Sequence, residues 1–157
     1  MKLIGLSPAR IFSGFETSFF NAIRGQGASI EAVEVEVPWF KLWCTLTSFY
    51  PSRKVWGTRR DRQYHTTIAA FKRKSSAARK AVMAHQGGAD AIYQVGALWN
   101  PLGDGVKIPL VLQVDYTSLL SKKRGSEWRR RDGKEQDFWV EQEKKLYNQA
   151  VVVLTTT

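Results

Sequence analysis

The polar tetrapeptide 115–118, Asp-Tyr-Thr-Ser, brings one carboxylate and three hydroxyl groups together directly after a short apolar segment. That segment, 108–114, is rich in valine and leucine, which is typical of a strand buried on both faces of a parallel sheet. In open α/β sheets, ligands bind at the carboxyl ends of the strands. We therefore expect the chemistry of this protein to take place near Asp115, which is a candidate catalytic residue.

A second group of residues that could bind a ligand lies near the start of the chain. Ser13 and Glu16 have the Ser-x-x-Glu spacing of a capping box, which predicts a helix beginning at Ser13-Gly14 after a first strand over 2–6. The backbone N–H groups of such a helix can bind a phosphate or carboxylate group. A capped helix with nothing bound explains the same spacing. The dinucleotide fingerprint Gly-x-Gly-x-x-Gly is absent.

Apolar periodicity predicts the elements that position these residues. Strands are expected over 2–6, 28–37, 90–96, 108–114 and 151–154, with helices between most of them. This order predicts an α/β protein, with a Rossmann-like open, mainly parallel sheet flanked by helices, in a single domain 1–157. We expect the last strand to be buried. Because no helix follows it, the chain is expected to be half of something larger or a domain that another chain completes.

The formal charge of +10 is concentrated in two segments. Segment 53–85 has ten basic residues and one acidic residue, and segment 122–134 has seven basic and two acidic residues. Such concentrated charge indicates a phosphate, anionic lipid or nucleic-acid partner. The single Cys44 excludes an internal disulfide, and neither His65 nor His85 has the neighbours of a metal site or a triad. We expect no metal and no cofactor.

The aromatic segment 38–51 has apolar residues at helical spacing, including Trp39 and Trp43. A buried helix and a helix lying on a membrane interface both have this composition, and buried helices are the commoner class. The basic residues that follow favour contact with an anionic membrane, although a solvated charged face has the same pattern. The expected contacts are Trp39, Trp43, Arg59, Arg60, Lys72, Arg73 and Lys74.

Four motifs resemble the N-terminal domain of two-domain (GT-B) glycosyltransferases, most closely retaining family 4. They are Ser13-Gly14-Phe15-Glu16, the strand start 89–93, segment 108–115 ending in Asp115, and segment 148–156. They occur in the family's order and span nearly the whole chain. Asp115 stands where many members have a histidine beside the transferred sugar.

The resemblance implies transfer of a sugar from a nucleotide-sugar donor to an acceptor that this domain holds. Ser13 and Gly14 would face the donor diphosphate, and Lys122 would stabilise the departing nucleoside diphosphate. Asp115 and Tyr116 would orient sugar hydroxyls or the acceptor nucleophile. Trp99 and Asn100 would line the acceptor cleft. The C-terminal donor-binding domain of the family is missing, so a partner subunit or second domain is expected to complete the site.

Two other functions remain open at this point. A basic α/β domain with aromatics among its arginines could bind nucleic acid, although no RNA-binding signature is present. A non-catalytic fragment or interaction domain is the third alternative. No apolar run reaches the ~20 residues that span a bilayer, so we expect a cytoplasmic protein, bound peripherally to the inner face of the membrane through a lipid-linked acceptor or anionic lipid.

Overall fold

The computed structural model describes residues 1–7, 13–114, 117, 118, 120 and 133–155, with only the backbone of residues 13–17. Five strands form one sheet in the order β2-β1-β3-β4-β5. All four pairs of neighbouring strands are parallel. The predicted α/β class and open parallel sheet are thus confirmed. The strands are β1 (Lys2–Ser7), β2 (Ser29–Glu34), β3 (Ala91–Val95), β4 (Leu110–Val114) and β5 (Val152–Thr155).

Helices connect most of these strands. They are α1 (Ser13–Gly25), α2 (Pro38–Thr47), α3 (Arg53–His65), α4 (Ile68–His85) and α5 (Gly133–Gln149), and a 3-10 turn, Gln86–Gly88, follows α4. The segment 38–51, predicted as one helix, is helical only as far as Thr47. Pro51 explains part of this difference, because the residue before a proline is disfavoured in helical conformation.

The two faces of the sheet are covered by different helices. Because side chains alternate along a strand, Ile4 of β1 and Ile92 of β3 point to one face, where Trp139 and Leu146 of α5 join the main core together with α4. Leu3 and its neighbours on the opposite face pack with Phe20 of α1. The sheet is therefore a layer between helices, as a parallel sheet requires.

Gly5 lets α1 approach the sheet closely. A Cβ atom at this position would lie 2.6 Å from Cζ of Phe20 and 2.9 Å from Cδ1 of Ile30. Real Cβ atoms do not come this close to other atoms, so any larger residue would push the aromatic ring of α1 away from the strand.

The burial predicted for the last strand is wrong. β5 lies at the edge of the sheet, bonded to β4 alone, and residues 151–154 are all more than a third exposed. The apolar run predicted the strand correctly. Its burial would also need covering elements on both faces, and the described helices pack over β1, β3 and β4 instead.

Replacing Gly5 with alanine is expected to destabilise the fold by about 1–3 kcal/mol, because the added methyl group overpacks the space under Phe20. Gly57→Ala is the matched control. Gly57 lies inside α3, and its added Cβ meets nothing within 4 Å, so alanine should stabilise by about 0.5–1 kcal/mol. Urea unfolding of both variants measures the difference, and an equal effect would contradict this packing account.

Candidate functional site

The crevice between β1 and β3 is where this sheet can bind a ligand. From β1 the chain crosses through α1 to β2 on one side, whereas β3 connects to β4 on the other. The carboxyl ends of β1 and β3 therefore meet at a topological switch point, the usual ligand position of open α/β sheets. Gly96, just after β3, has φ 73°, and its N–H donates to Gln113 O of β4 at 2.7 Å.

Ser13 and Gly14 are the first residues of α1, the helix that follows β1. The predicted start of the helix at these residues is therefore confirmed, and their contact with a donor diphosphate stays a prediction. Asp115 and Tyr116 follow the end of β4, the strand next to β3. Both of these residues, and Lys122 as well, lie outside the described residues, so their predicted contacts with substrate stay predictions.

Trp99 and Asn100 are placed elsewhere. Trp99 is fully buried in the main core, so the predicted lining of an acceptor cleft does not fit this residue. Its loop runs from β3 to the start of β4 across the face of the sheet. The Asn100 carboxamide donates to Gln149 Oε1 at 3.0 Å and accepts from Leu102 N at 2.9 Å. Both of its polar atoms therefore serve to hold the loop.

A buried carboxylate holds the segment that follows β4. Glu143 of α5 is 4% exposed and accepts hydrogen bonds from Ser118 N at 2.9 Å and from Ser118 Oγ at 2.6 Å. Gln136, also on α5, donates to Ser118 O at 3.0 Å. The sequence prediction missed Glu143, although its spacing from Trp139 and Leu146 puts it on the inward face of α5. This clamp fixes the chain three residues after Asp115.

Helix α2 is apolar on two sides, and only one side is covered. Phe40 and Cys44 are buried against α3 and α4. An adjoining side of the helix and the residues after it expose six large apolar side chains, which we call the α2 apolar surface: Trp39 (56%), Leu42 (60%), Trp43 (47%), Leu46 (67%), Phe49 (67%) and Tyr50 (40%). Contiguous exposed apolar residues on this scale indicate an interaction surface.

Arginine side chains border the α2 apolar surface. The guanidinium carbon of Arg73 lies 4.2 Å from the ring centroid of Trp39, and that of Arg59 lies 4.6 Å from the ring of Tyr50. Lys72 is exposed, and Arg60 is paired with Asp61 at 2.8 Å. Of the seven residues predicted to contact a membrane or anion, six are thus exposed or half-exposed in the α2–α4 region.

The prediction for Lys74, the seventh of these residues, is wrong. Its side chain is 5% exposed, so it cannot reach an external surface. Its Nζ lies 3.0 Å from Nδ1 of His65 and 4.1 Å above the ring centroid of Tyr64. The basic run 72–74 predicted three exposed charges, but successive helical residues point in different directions, and Lys74 points inward.

Burial changes the protonation of both partners. It lowers the pKa of Lys74 from 10.5 to about 8. It also lowers the pKa of His65 from 6.5 to about 4, with a further contribution from the Lys74 charge. At neutral pH the charged ammonium group therefore donates to a neutral imidazole, whose proton sits on Nε2. Among the described residues, no cluster of three or more histidine, cysteine or acidic side chains could hold a metal ion.

Within the described part of the chain, no helix combines the length and the apolar composition needed to cross a bilayer. No protein-family model matches the chain, and comparisons with curated proteins and with solved structures give no match. The site must therefore be interpreted from its own geometry.

Replacing Lys74 with methionine is expected to stabilise the protein at pH 7 and to change how stability depends on pH. The pKa of Lys74 is about 8 in the folded protein and 10.5 in the unfolded chain, so between these pH values the unfolded state binds more protons than the folded state. The stability of the wild-type protein therefore rises with pH in this range. The difference in free energy of unfolding between K74M and the wild type should therefore shrink by about 2 kcal/mol from pH 7.5 to 9.5. Urea unfolding at each pH measures it.

Lys72→Met is the matched control, because it removes the same group from an exposed position two residues away. The K72M protein should keep the wild-type rise in stability over the same pH range. A K74M protein whose stability changes with pH in parallel with the wild type would contradict the depressed pKa of Lys74.

Proposed function

We propose that the chain is the acceptor-binding half of a glycosyltransferase that works at an anionic membrane surface on a lipid-linked acceptor. The observation that carries the proposal is the α2 apolar surface, which stands open beside exposed cations. The parallel sheet supplies a ligand edge of the kind such an enzyme needs, and the motifs around Ser13 and Asp115 supply the resemblance.

A membrane interface suits both components of this surface. Tryptophan and leucine side chains gain free energy when they enter the boundary between headgroups and acyl chains. The exposed cations add about 1 kcal/mol each when they approach an anionic leaflet. The guanidinium groups beside Trp39 and Tyr50 would lie at the depth of the lipid phosphates once the rings insert.

Nucleic acid is a poorer match for the same surface. Single-stranded binding sites rely on open aromatic faces on which bases stack. Here Leu42 and Leu46 are among the most exposed apolar residues, and Arg73 already lies over the Trp39 ring. Burial of aliphatic side chains in lipid is favourable in free energy, whereas such side chains do not stack on bases.

Sugar transfer would take place at the carboxyl edge of the sheet. The N-terminus of α1 at Ser13 and Gly14, together with Lys122, would stabilise the departing nucleoside diphosphate by its positive potential. Asp115 and Tyr116 would orient the acceptor nucleophile, and the clamp on Ser118 would hold that segment in place. A donor-binding domain or partner subunit would supply the rest of the nucleotide-sugar site.

The double change Trp39→Ser and Trp43→Ser should reduce binding to vesicles of phosphatidylcholine and phosphatidylglycerol (3:1) by about tenfold or more, because two exposed rings no longer insert. Co-sedimentation measures the bound fraction. Met83→Ser is the control, since Met83 is an equally exposed apolar residue on α4, outside the α2 apolar surface.

Three outcomes would contradict the membrane proposal. They are equal binding of the double variant and the wild type, equal binding to vesicles with and without phosphatidylglycerol, and tight binding to oligonucleotides in the absence of vesicle binding.

The change Asp115→Asn should lower sugar transfer by about a hundredfold while leaving the melting temperature unchanged, because the amide keeps the shape but loses the charge that orients the acceptor. Transfer of labelled sugar is measured with the donor-binding half present. Asp104→Asn, on the exposed loop before β4, is the matched control. Full activity of D115N would remove Asp115 from the mechanism.

A further inference from the structure

We propose that β5 is an interface between two copies of this chain, whose β5 strands pair antiparallel across a two-fold axis at Val153. The proposal goes beyond the proposed function and does not rest on it. Among the described strands, β5 pairs with β4 alone. Its outer side therefore presents backbone N–H and C=O groups to which another strand can bind.

The two edges of the sheet differ in how they are protected against pairing. Natural edge strands commonly carry charged side chains, which keep other chains from adding to the sheet. β2, at the opposite edge, exposes Glu31 and Glu34, and Glu31 forms an ion pair with Lys2 at 3.5 Å. Segment 151–155 has no charged residue. β5 is therefore the edge that stands open to a partner strand.

The side chains of β5 extend both cores of the protein into solvent. In the parallel register, Val152 lies beside Val111 and Val153 lies beside Leu112. Leu112 belongs to the main core and Val111 packs with the core on the α1 side. Register partners in a parallel sheet point to the same face, so Val152 and Val153 point to opposite faces. A strand that covers this edge must itself be apolar on both faces.

β5 of a second copy has the composition that this position requires. Val153 is the middle residue of segment 151–155, so an antiparallel pair centred there places Val152 opposite Leu154 of the second copy. Directly opposite apolar side chains stabilise such a pair, and no like charges meet across it. The contact uses the same surface on both copies, so it closes as a dimer.

The charge distribution also favours contact between copies at this edge. The formal charge of +10 makes two copies repel each other. The strongly basic α3 packs on α2, which joins its core at Val37, just after β2. Neighbouring strands lie about 4.8 Å apart, so the β2 and β5 edges are separated by about 19 Å. This exceeds the Debye length of about 8 Å at physiological salt, so pairing through β5 keeps the α3 charges of the two copies apart.

The experiment compares two single-cysteine changes, V153C and V151C, in the full chain oxidised with copper phenanthroline in air. Directly opposite residues of an antiparallel pair have Cα atoms about 4.5 or 5.5 Å apart, which a disulfide can span. V153C should therefore form a covalent dimer. In the same register the two Val151 positions are about 13 Å apart along the strands, so V151C should cross-link at least about tenfold more slowly.

This comparison separates a defined interface from random collision. Val151 is 63% exposed and Val153 is 39% exposed, so collisions in solution would cross-link V151C faster. The wild-type chain is the blank, because its single Cys44 is buried. Cross-linking of V151C at the rate of V153C or faster, or no cross-linking of V153C, would overturn the proposal.

Analytical ultracentrifugation tests the dimer without added cysteines. One strand pair is a small interface, so the dimer should be weak, with a dimer fraction that rises with concentration. V153K places two like charges opposite each other and should be monomeric. A32K is the matched control, since Ala32 is exposed on the β2 edge and its change should leave the dimer intact. A wild-type chain that stays monomeric up to about 1 mM contradicts the proposal.

The α2 apolar surface is the other place where two copies could meet. W39S/W43S removes its tryptophans and should leave both the dimer fraction and the V153C cross-linking unchanged. Loss of the dimer in W39S/W43S, with retention in V153K, would move the interface from β5 to α2. Circular dichroism checks that each variant is folded.

Discussion

The apolar character of α2 on two adjoining sides is the constraint on which the rest of this molecule depends. Phe40 and Cys44 attach the helix to α3 and α4, and burial of the thiol raises the pKa of Cys44. Once the helix is attached in this way, its outer leucines and aromatics must face outward. Water is an unfavourable environment for so many contiguous apolar groups. The membrane interface that we propose would cover these groups without any change in the fold.

The same attachment explains why a charged group is buried below α2. The ammonium group of Lys74 lies against the aromatic face of Tyr64 and the neutral imidazole of His65. These two groups replace part of the water that the ammonium group loses on burial. The Tyr64 hydroxyl oxygen also accepts a hydrogen bond from Val37 N, at 3.4 Å, where the chain enters α2. The polar interactions beneath the helix thus connect α2, α3 and α4. The buried charge of Lys74 lowers the stability of the fold in return.

The sequence was sufficient for the fold because local and global signals agree in the sheet. Four strands are short apolar runs and β2 alternates apolar with acidic residues, which is why the sequence predicts all five, while α1 and α5 follow from capping residues and periodicity. The sequence places helix boundaries less well, since a predicted start at Ser75 or Ser76 falls inside α4. The other errors concern burial, which depends on what packs above a residue. Lys74 follows two exposed cations, Trp99 stands in a loop rich in turn-forming residues, and β5 has an apolar sequence, so none of their environments can be deduced from neighbours in the chain. The clamp of Glu143 on Ser118 joins residues 25 apart and carries no motif.

The ligand edge and the α2 apolar surface are mechanically joined through α5. Trp139 Nε1 donates to Thr66 O at 2.8 Å, at the junction of α3 and α4, and one turn later Glu143 holds Ser118 after β4. A single rigid helix therefore fixes the position of the α2–α3 pair relative to the chain that follows the β4 strand end. For an enzyme that takes its acceptor from a membrane, this coupling would set the height of the acceptor headgroup above the lipid. A misplacement of about 1 Å can lower the rate of such a reaction by about a hundredfold, so a fixed distance from lipid to sheet edge would contribute directly to catalysis.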